Sequence, residues 1–291
     1  MRSSIVVVAA CVLVGPGLRA QPAVSLEQVL ERMSAYLLQY EMQLSSVVAD
    51  ERFDQRIVYT RAYVGGLPKT DDERKRLESE IGFLRLPGGV DWIGFRDVRK
   101  INGRPVTPKA QRVADVLASR ADAMSQAKVV ADASAEHNLG APRTTNVPTA
   151  ALDVIHPSRL GAHQIKIRGE ETIRRTRTVV LEFLETRRPT IVRDAGGQDL
   201  VSRGRIWVDP VSGAIWRIEW IYEGERVVAA PGPTPKLGID FVPNPELGMM
   251  VPQQMRETFA AFGGLNARGD GVASYTNFRR FGTGARIVPQ P

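Results

Sequence analysis

The chain has 291 residues, of which 43% are hydrophobic and 24% charged, and its mean hydropathy is −0.17. These values exclude a disordered tail and a multi-span membrane protein, and they leave a globular protein of one large or two ordinary domains. Lysine and arginine number 39 against 32 acidic residues. Acidic residues are interleaved with the arginines, so the sequence predicts no concentrated positive field and no nucleic-acid partner.

The first twenty residues have the anatomy of a secretory signal peptide. Arg2 precedes ten apolar residues, Ile5 to Val14, and Gly15-Pro16-Gly17 ends that run shortly before Ala20. Ten residues are too few to cross a hydrocarbon core about 30 Å thick. The pattern therefore predicts cleavage near Ala20 and export to the periplasm or the extracellular space, with no transmembrane span in the mature chain.

Cys11 is the single cysteine of the sequence, and it lies within the apolar run. The box Val8-Ala9-Ala10-Cys11 resembles a lipid-attachment site, but such a cysteine normally follows the apolar region. We expect cleavage rather than lipidation, which leaves a mature chain without cysteine. Loss of Arg2 and Arg19 then leaves 37 basic and 32 acidic residues, a net charge of +5.

The mature chain begins with a helix and continues with strands. Ser25 and Gln28 form a capping box at the start of an amphipathic stretch that runs to about Val47. Apolar and polar residues alternate from about Arg52, which indicates a strand. A loop is predicted over Gly65 to Arg76, a strand around Phe83, a turn at Pro87 to Gly89, and a strand from Trp92 to Ile101 that ends in the hairpin signal Asn102-Gly103.

A helical insertion is predicted over about residues 107–140, where the sequence is rich in alanine and Gly140 is placed to end a helix. A short helical turn is expected before Pro157. The rest reads as antiparallel strands, and Asp209 to Gly213 form a tight connection between two of them. We thus expect residues 21–291 to form a single α+β domain. Further strands are predicted around Phe183 and over Leu237–Val242, Gln253–Phe262 and Gly271–Phe281.

The element order and the hairpin from Ile206 to Arg217 resemble the periplasmic outer-membrane lipoprotein carrier and lipoprotein-sorting-protein families. In those families, this hairpin consists of an apolar strand, the motif Asp-Pro-x-x-Gly and a second apolar strand. Segments such as Arg85 to Gly89 are also similar to uncharacterised secreted bacterial proteins. The resemblance implies a curved, mostly antiparallel sheet, an unclosed barrel, packed on the N-terminal helix and the helical insertion. It also implies a cavity that holds acyl chains between sheet and helices.

No sequence motif for catalysis or metal binding stands out. Gly-x-Ser-x-Gly, His-Glu-x-x-His and the P-loop are absent, and we predict no cofactor and no metal. His137, His156 and His163 lack cysteine partners, so a metal site would need a tertiary coincidence. Four glutamates on predicted strands could supply a pair of catalytic carboxylates, or could form cross-strand ion pairs with Arg217 and Arg256: Glu182, Glu185, Glu219 and Glu257.

Aromatic residues are the candidates for ligand binding, because their rings offer large apolar faces with one polar atom. Core packing explains the same residues. The candidates are Trp92, Trp207, Trp216, Trp220 and Tyr222. Two arginine runs, Arg174 to Arg177 and Arg187-Arg188, could touch anionic headgroups or form a solvated strand face. Arg268-Gly269-Asp270 is predicted to be a turn.

The sequence favours an exported, non-enzymatic envelope protein that binds an apolar or amphipathic ligand, a lipid or lipoprotein acyl chain, between sheet and helices. Two alternatives stay open. One is an envelope hydrolase that uses strand carboxylates, and the other is a structural or interaction module with another envelope protein as its partner.

Overall fold

The structure is a computed structural model. It describes residues 24–45, 47–61, 67–85, 92–107, 112–118, 122–140, 142–193, 196–224, 234–260, 265–282 and 286–287. The predicted signal peptide with Cys11, the glycine pair at 65–66 and the predicted turn at 87–89 lie outside the described residues.

The described residues contain four α-helices, one 3₁₀ helix and thirteen strands. The helices are α1 Leu26–Leu44, α2 Val113–Ala118, α3 Ala123–Ala135, α4 Ala150–Val154 and the 3₁₀ helix Pro157–Ala162. The strands are β1 Val47–Arg61, β2 Lys69–Arg85, β3 Trp92–Ile101, β4 Arg104–Pro105, β5 His163–Ile173, β6 Thr176–Glu185, β7 Val192–Arg193, β8 Asp199–Val208, β9 Ile215–Gly224, β10 Lys236–Asn244, β11 Met249–Ala260, β12 Leu265–Gly282 and β13 Arg286–Ile287.

All strand pairs are antiparallel, and the strands form one open sheet with the order β4-β3-β2-β1-β12-β11-β10-β9-β8-β6-β5. The sheet is not closed, since β4 and β5 are its two ends. Two short strands extend it, β13 beside β12 and β7 beside β8. The predicted α+β class with a mostly antiparallel, unclosed sheet is confirmed.

The two faces of the sheet differ sharply because side chains alternate along each strand. One row of paired residues crosses the face that packs on α1, here called the inner face: Leu77, Phe53, Ala273, Met255, Ile239, Ile218, Ile206 and Leu181. All eight are buried in one cluster. The neighbouring row lies on the outer face: Arg76, Asp54, Val272, Arg256, Gly238, Glu219, Arg205 and Glu182.

Helix α1 begins at the predicted capping box, in which Ser25 Oγ accepts from Gln28 N and the Gln28 side chain accepts from Ser25 N. Its buried stripe has the spacing of one helix face: Val29, Met33, Leu37, Tyr40, Glu41 and Leu44. The helix ends at Leu44, and Val47, expected in the helix, begins β1 instead.

The insertion forms two helices on the outer face of β1–β3. Phe95 is fully buried there with Val48 and with α2 and α3 residues such as Val113 and Val130. This second layer explains why β3 is apolar on both faces. Gly140 has a φ of +79°, but α3 already ends at Ala135, so Gly140 does not end it as expected.

Two other expectations are wrong. The charged run from Asp71 to Arg76 is part of β2 rather than a loop, because its alternating charges pair with β1, as where Arg56 donates twice to Asp72 at 2.9 Å. Arg268-Gly269-Asp270 lies within β12 rather than in a turn. Gly269 is required there by the ring of Phe259, which lies 2.1 Å from where a Cβ would be.

The connection between β8 and β9 is tight, as predicted, and it contacts α1. Asp209 Oδ1 accepts from Val211 N at 2.8 Å. Gly213 has a φ of +76°, and a Cβ on it would lie 2.2 Å from the backbone oxygen of Arg32 in α1. The Arg32 side chain also donates to the carbonyl oxygen of Pro210. The turn therefore fixes the position of α1 against the sheet.

We expect Gly213→Ala to destabilise the protein more than a strained turn alone would. Gly248→Ala is the matched control, because Gly248 also has a positive φ of +63° but has open space around it. The control should lower the free energy of unfolding by about 1–2 kcal/mol for the left-handed backbone. Gly213→Ala should add about 1–3 kcal/mol for the clash with α1. Urea unfolding measures both, and equal losses would contradict the contact.

Candidate functional site

Three of the five candidate residues lie in β9. Trp220 and Tyr222 are on its inner face, and Trp216 lies at the register shift between β8 and β9. The rings of Trp220 and Tyr222 are 4.8 Å apart. Trp216 and Trp220 are 8% and 1% exposed, so both belong to the core.

The other two candidates lie elsewhere. Trp207 pairs with Arg217 on the outer face of the sheet, where its Nε1 donates to Glu171 Oε2 at 2.8 Å and the Arg217 guanidinium lies over its ring. Trp92 is on the inner face but at the far end, in β3. Its backbone N donates to Asp153 Oδ1 at 2.9 Å.

Helix α1 faces this surface with two tyrosines. The rings of Tyr36 and Tyr40 stack with centroids 5.6 Å apart, and Tyr40 meets Phe241 of β10 edge-on at 6.4 Å. Burial raises the pKa of both phenols well above the usual value, so both are neutral. We call the layer between α1 and the strands β9 to β11 the aromatic seam. The core cluster that includes these residues also contains four methionines, Met33, Met249, Met250 and Met255.

Three polar atoms of the aromatic seam have no hydrogen-bond partner among the described residues. They are the Tyr40 hydroxyl and the indole nitrogens of Trp216 and Trp220. Buried Tyr and Trp normally find a partner for their polar atom. These donors can therefore serve an acceptor that is not part of the protein.

A buried ion pair lies on the inner face beside the aromatic seam. Arg96 of β3 donates from Nε and Nη2 to the two carboxylate oxygens of Glu51 in β1. The two side chains are 2% and 0% exposed. Burial alone would lower the pKa of Arg96, but the attraction of Glu51 outweighs it and raises that pKa. Arg96 Nη2 also donates to the carbonyl oxygen of Asn146 at 2.9 Å.

A second ion pair holds the same stretch of chain. Arg143 Nη2 donates to Glu257 Oε1 of β11 at 2.9 Å, and its guanidinium lies 3.6 Å from the centre of the Phe259 ring. Gln55 accepts from Leu139 N, and Thr145 bonds the Tyr222 hydroxyl. We call residues 138–147 the inner strap, of which residue 141 is not described. Buried charges hold it over the inner face next to the aromatic seam.

Helix α1 is tied to β2 by a third polar group. Glu41 pairs with Arg85 of β2 and lies 2.9 Å from His156 Nε2. His156 Nδ1 accepts from Ser158 N at 3.2 Å and caps the 3₁₀ helix. His163 Nδ1 contacts the Arg159 carbonyl oxygen, and desolvation lowers its pKa. Both histidines thus have structural contacts.

The four strand glutamates each bind a different partner. Glu182 pairs with Arg168 and Lys166, and the hydrogen bonds lower its pKa to about 2. Glu219 pairs with Lys236, and Glu257 with Arg143. Glu185 accepts two backbone N–H groups, those of Ile191 and Ser202. Arg217 and Arg256, expected to pair with strand glutamates, both bind Asp240 instead.

Within the described residues, no group of three or more His, Cys, Asp or Glu side chains is arranged to hold a metal ion. Across the same residues, no helix combines the length and apolarity needed to span a membrane.

No protein-family profile matches the sequence, and no curated protein matches it. Several solved structures resemble the chain. A LolA superfamily protein from Nitrosomonas europaea is 14% identical, with 92% of this chain and 96% of that chain covered and a TM-score of 0.32. A DUF1329 family protein from Desulfovibrio piger is 15% identical, with 86% and 92% covered and a TM-score of 0.31.

The lipoprotein LppX of Mycobacterium tuberculosis is 8% identical, with 87% of this chain and 96% of that chain covered and a TM-score of 0.27. The expected resemblance to lipoprotein carrier proteins is thus found again among solved structures.

We expect Glu51→Gln to cost about 3–5 kcal/mol in the free energy of unfolding, because it leaves the Arg96 charge buried without a counter-ion. The control is Glu78→Gln, which removes a carboxylate that pairs with Lys100 at 3.3 Å and is 40% exposed. That change should cost less than about 1 kcal/mol. Chemical denaturation measures both variants, and a small loss for Glu51→Gln would mean that water reaches the pair.

Proposed function

We propose that this chain is an exported, non-enzymatic envelope protein that binds an apolar or amphipathic ligand, a lipid or the acyl chain of a lipoprotein, in the aromatic seam between α1 and the sheet. Export follows from the signal-peptide pattern, with cleavage near Ala20. A lipoprotein or another envelope protein would be its partner.

The composition of the aromatic seam supports an adaptable binding site. Methionine side chains are unbranched and polarisable, so they repack around different apolar shapes. Met33 belongs to the buried stripe of α1, and Met255 lies on the inner face of β11. The sheet is open, and α1 is a single helix whose buried stripe is mostly apolar. A modest shift of α1 would admit an acyl chain without breaking the strand ladder.

The observation that carries the proposal is the set of three unpartnered donors, Tyr40 Oη, Trp216 Nε1 and Trp220 Nε1. An unbonded buried donor is costly, by about 1–3 kcal/mol in protein measurements. A carboxylate or ester oxygen at the head of an acyl chain supplies the missing acceptor while its tail contacts the rings and methionines. An apolar core that served stability alone would be better filled by phenylalanine and leucine.

Native mass spectrometry of the protein recovered from the envelope of its bacterial host tests both parts of the proposal. The polypeptide mass should correspond to a chain that begins near Gln21, and gentle ionisation should retain a bound lipid. A diacylglycerol adduct on Cys11 would overturn the expected cleavage. A lipid-free protein that also fails to bind a fluorescent fatty acid would favour the structural or interaction module.

We expect Tyr40→Phe to weaken the binding of a fluorescent fatty acid by about 5–10-fold, the effect of one hydrogen bond of about 1–1.4 kcal/mol. Without ligand, the variant should be as stable as the wild type or more stable, because an unbonded hydroxyl is removed. The test combines a fluorescence titration with thermal unfolding.

Tyr59→Phe is the control for that change. The Tyr59 hydroxyl bonds Glu73, away from α1, so its loss should lower stability and leave the affinity unchanged. If Tyr40→Phe instead destabilised the protein and bound fatty acid normally, the hydroxyl would belong to the fold and not to a ligand site.

A further inference from the structure

The hairpin between β5 and β6 turns through two arginines in an unfavourable backbone conformation. Arg174 and Arg175 have φ values of +47° and +71°, between the paired residues Ile173 and Thr176. Two consecutive positive φ angles define a type I′ turn, which strongly favours Asn-Gly. The same protein uses Asn102-Gly103 for the equivalent turn between β3 and β4, with φ values of +50° and +77°.

Neither arginine is placed in this turn by the needs of the fold. Both side chains are exposed. Arg174 Nη2 donates to Gln253 Oε1 of β11, and no hydrogen bond or ion pair of Arg175 occurs among the described residues. Backbone strain that local structure does not require is concentrated at functional sites. The strained turn therefore marks the surface next to Arg174 and Arg175 as a candidate functional site.

An open cleft of about 690 Å³ lies between this hairpin tip and strands β9 to β12. Three arginines line it, Arg174, Arg217 and Arg256, against two carboxylates, Glu171 and Asp240. Both carboxylates are already engaged. Glu171 accepts from Trp207 Nε1 at 2.8 Å. We call this space the hairpin cleft.

Asp240 orients two of the arginines. Its Oδ1 accepts from Arg217 Nε and its Oδ2 from Arg256 Nη1, both at 2.6 Å. Burial opposes ionisation of Asp240, but these two hydrogen bonds outweigh it and lower its pKa. Each guanidinium uses one nitrogen on Asp240, and its other nitrogens have no partner among the described residues. The cleft thus has more oriented donors than its own carboxylates can occupy.

We propose that the hairpin cleft is a binding site for a phosphate group, held by Arg174, Arg217 and Arg256 with Arg175 at its rim. A phosphate accepts hydrogen bonds from several directions and pairs well with the planar guanidinium fork. The source is either a phospholipid headgroup or a soluble phosphate compound. The cleft borders the aromatic seam, since Trp216 and Phe241 are among its lining residues, but the proposed phosphate contacts are made by arginines and do not depend on the ligand proposed there.

Replacing the turn by its favoured sequence, Arg174→Asn with Arg175→Gly, separates binding from folding. Relief of the backbone strain should raise Tm by about 2–6 °C, so a loss of binding cannot be ascribed to unfolding. The control removes two positive charges at the opposite end of the sheet, Lys100→Gln with Arg104→Gln. Arg256→Gln tests the floor of the cleft.

Two probes distinguish the sources of the phosphate. Inorganic phosphate is titrated while the arginine Nε–H signals are followed by NMR, and vesicles of phosphatidylcholine with or without phosphatidic acid are used in co-sedimentation. We expect saturable shifts at Arg217 and Arg256, and a weakening of at least tenfold in the turn variant but not in the control. Tighter binding to phosphatidic acid vesicles than to inorganic phosphate identifies a headgroup, and comparable binding identifies a soluble compound.

Three outcomes would overturn the proposal. The arginine signals could fail to saturate with phosphate, the turn variant could bind as well as the wild type, or the Lys100/Arg104 control could lose as much binding as the turn variant. The last outcome would mean that only the overall positive charge matters. Tyr40→Phe should leave phosphate binding unchanged, so failure of the aromatic-seam proposal and failure of this one can be told apart.

Discussion

The inner face of the sheet is apolar across its whole width, and the described strands supply no second sheet to cover it. Burial of that face is the main favourable contribution to folding, since a row such as Leu77 to Leu181 is removed from water only by what packs on it. Helix α1 covers part of this face, where it contacts β2, β10 and the turn between β8 and β9. The inner strap covers the part formed by β1, β3, β11 and β12. The positions of α1 and of the inner strap are therefore both determined by the apolar inner face that they cover.

The two pieces differ in how they are attached, and the difference bears on function. Helix α1 contributes an apolar stripe and is fixed within its N-terminal half by the Gly213 turn and near its C-terminal end by Glu41. The inner strap is polar and is fixed by buried charges, Arg96 on Glu51 and Arg143 on Glu257. Buried ion pairs add little net stability but strongly penalise a misplaced partner. The strap is thus held in one place by charges, whereas α1 is held mainly by its apolar stripe and by the Gly213 turn.

The outer face follows different rules at its two ends. Near β1–β3 it is covered by α2 and α3 around Phe95. Elsewhere it is a lattice of arginines and carboxylates in which one aspartate commonly serves two arginines, as Asp54, Asp72 and Asp240 do. Such exposed pairs contribute little to stability. They leave guanidinium nitrogens available, and at the hairpin tip these nitrogens line a cleft rather than open solvent.

Local patterns in the sequence determined the capping box of α1, strand β3, the Asn102-Gly103 turn, the Asp209–Gly213 connection and the antiparallel character of the sheet. Each depends on residues a few positions apart, where backbone geometry alone decides the outcome. The charged run in β2 was misjudged because its pairing partners lie in β1, and a single strand does not reveal them.

Only the tertiary structure decided which side chains meet. Trp207 lies on the outer face because the residue before it in β8, Ile206, lies on the inner face, and alternate residues of a strand point to opposite faces. The counter-ion of Arg96 is Glu51 in β1, 45 residues away along the chain. The counter-ion of Arg143 is Glu257 in β11, 114 residues away. One signal was available, since Arg96 interrupts the apolar face of Trp92, Gly94 and Val98. The sequence could mark that charge as unusual, but its counter-ion depends on strand order, which long-range packing sets.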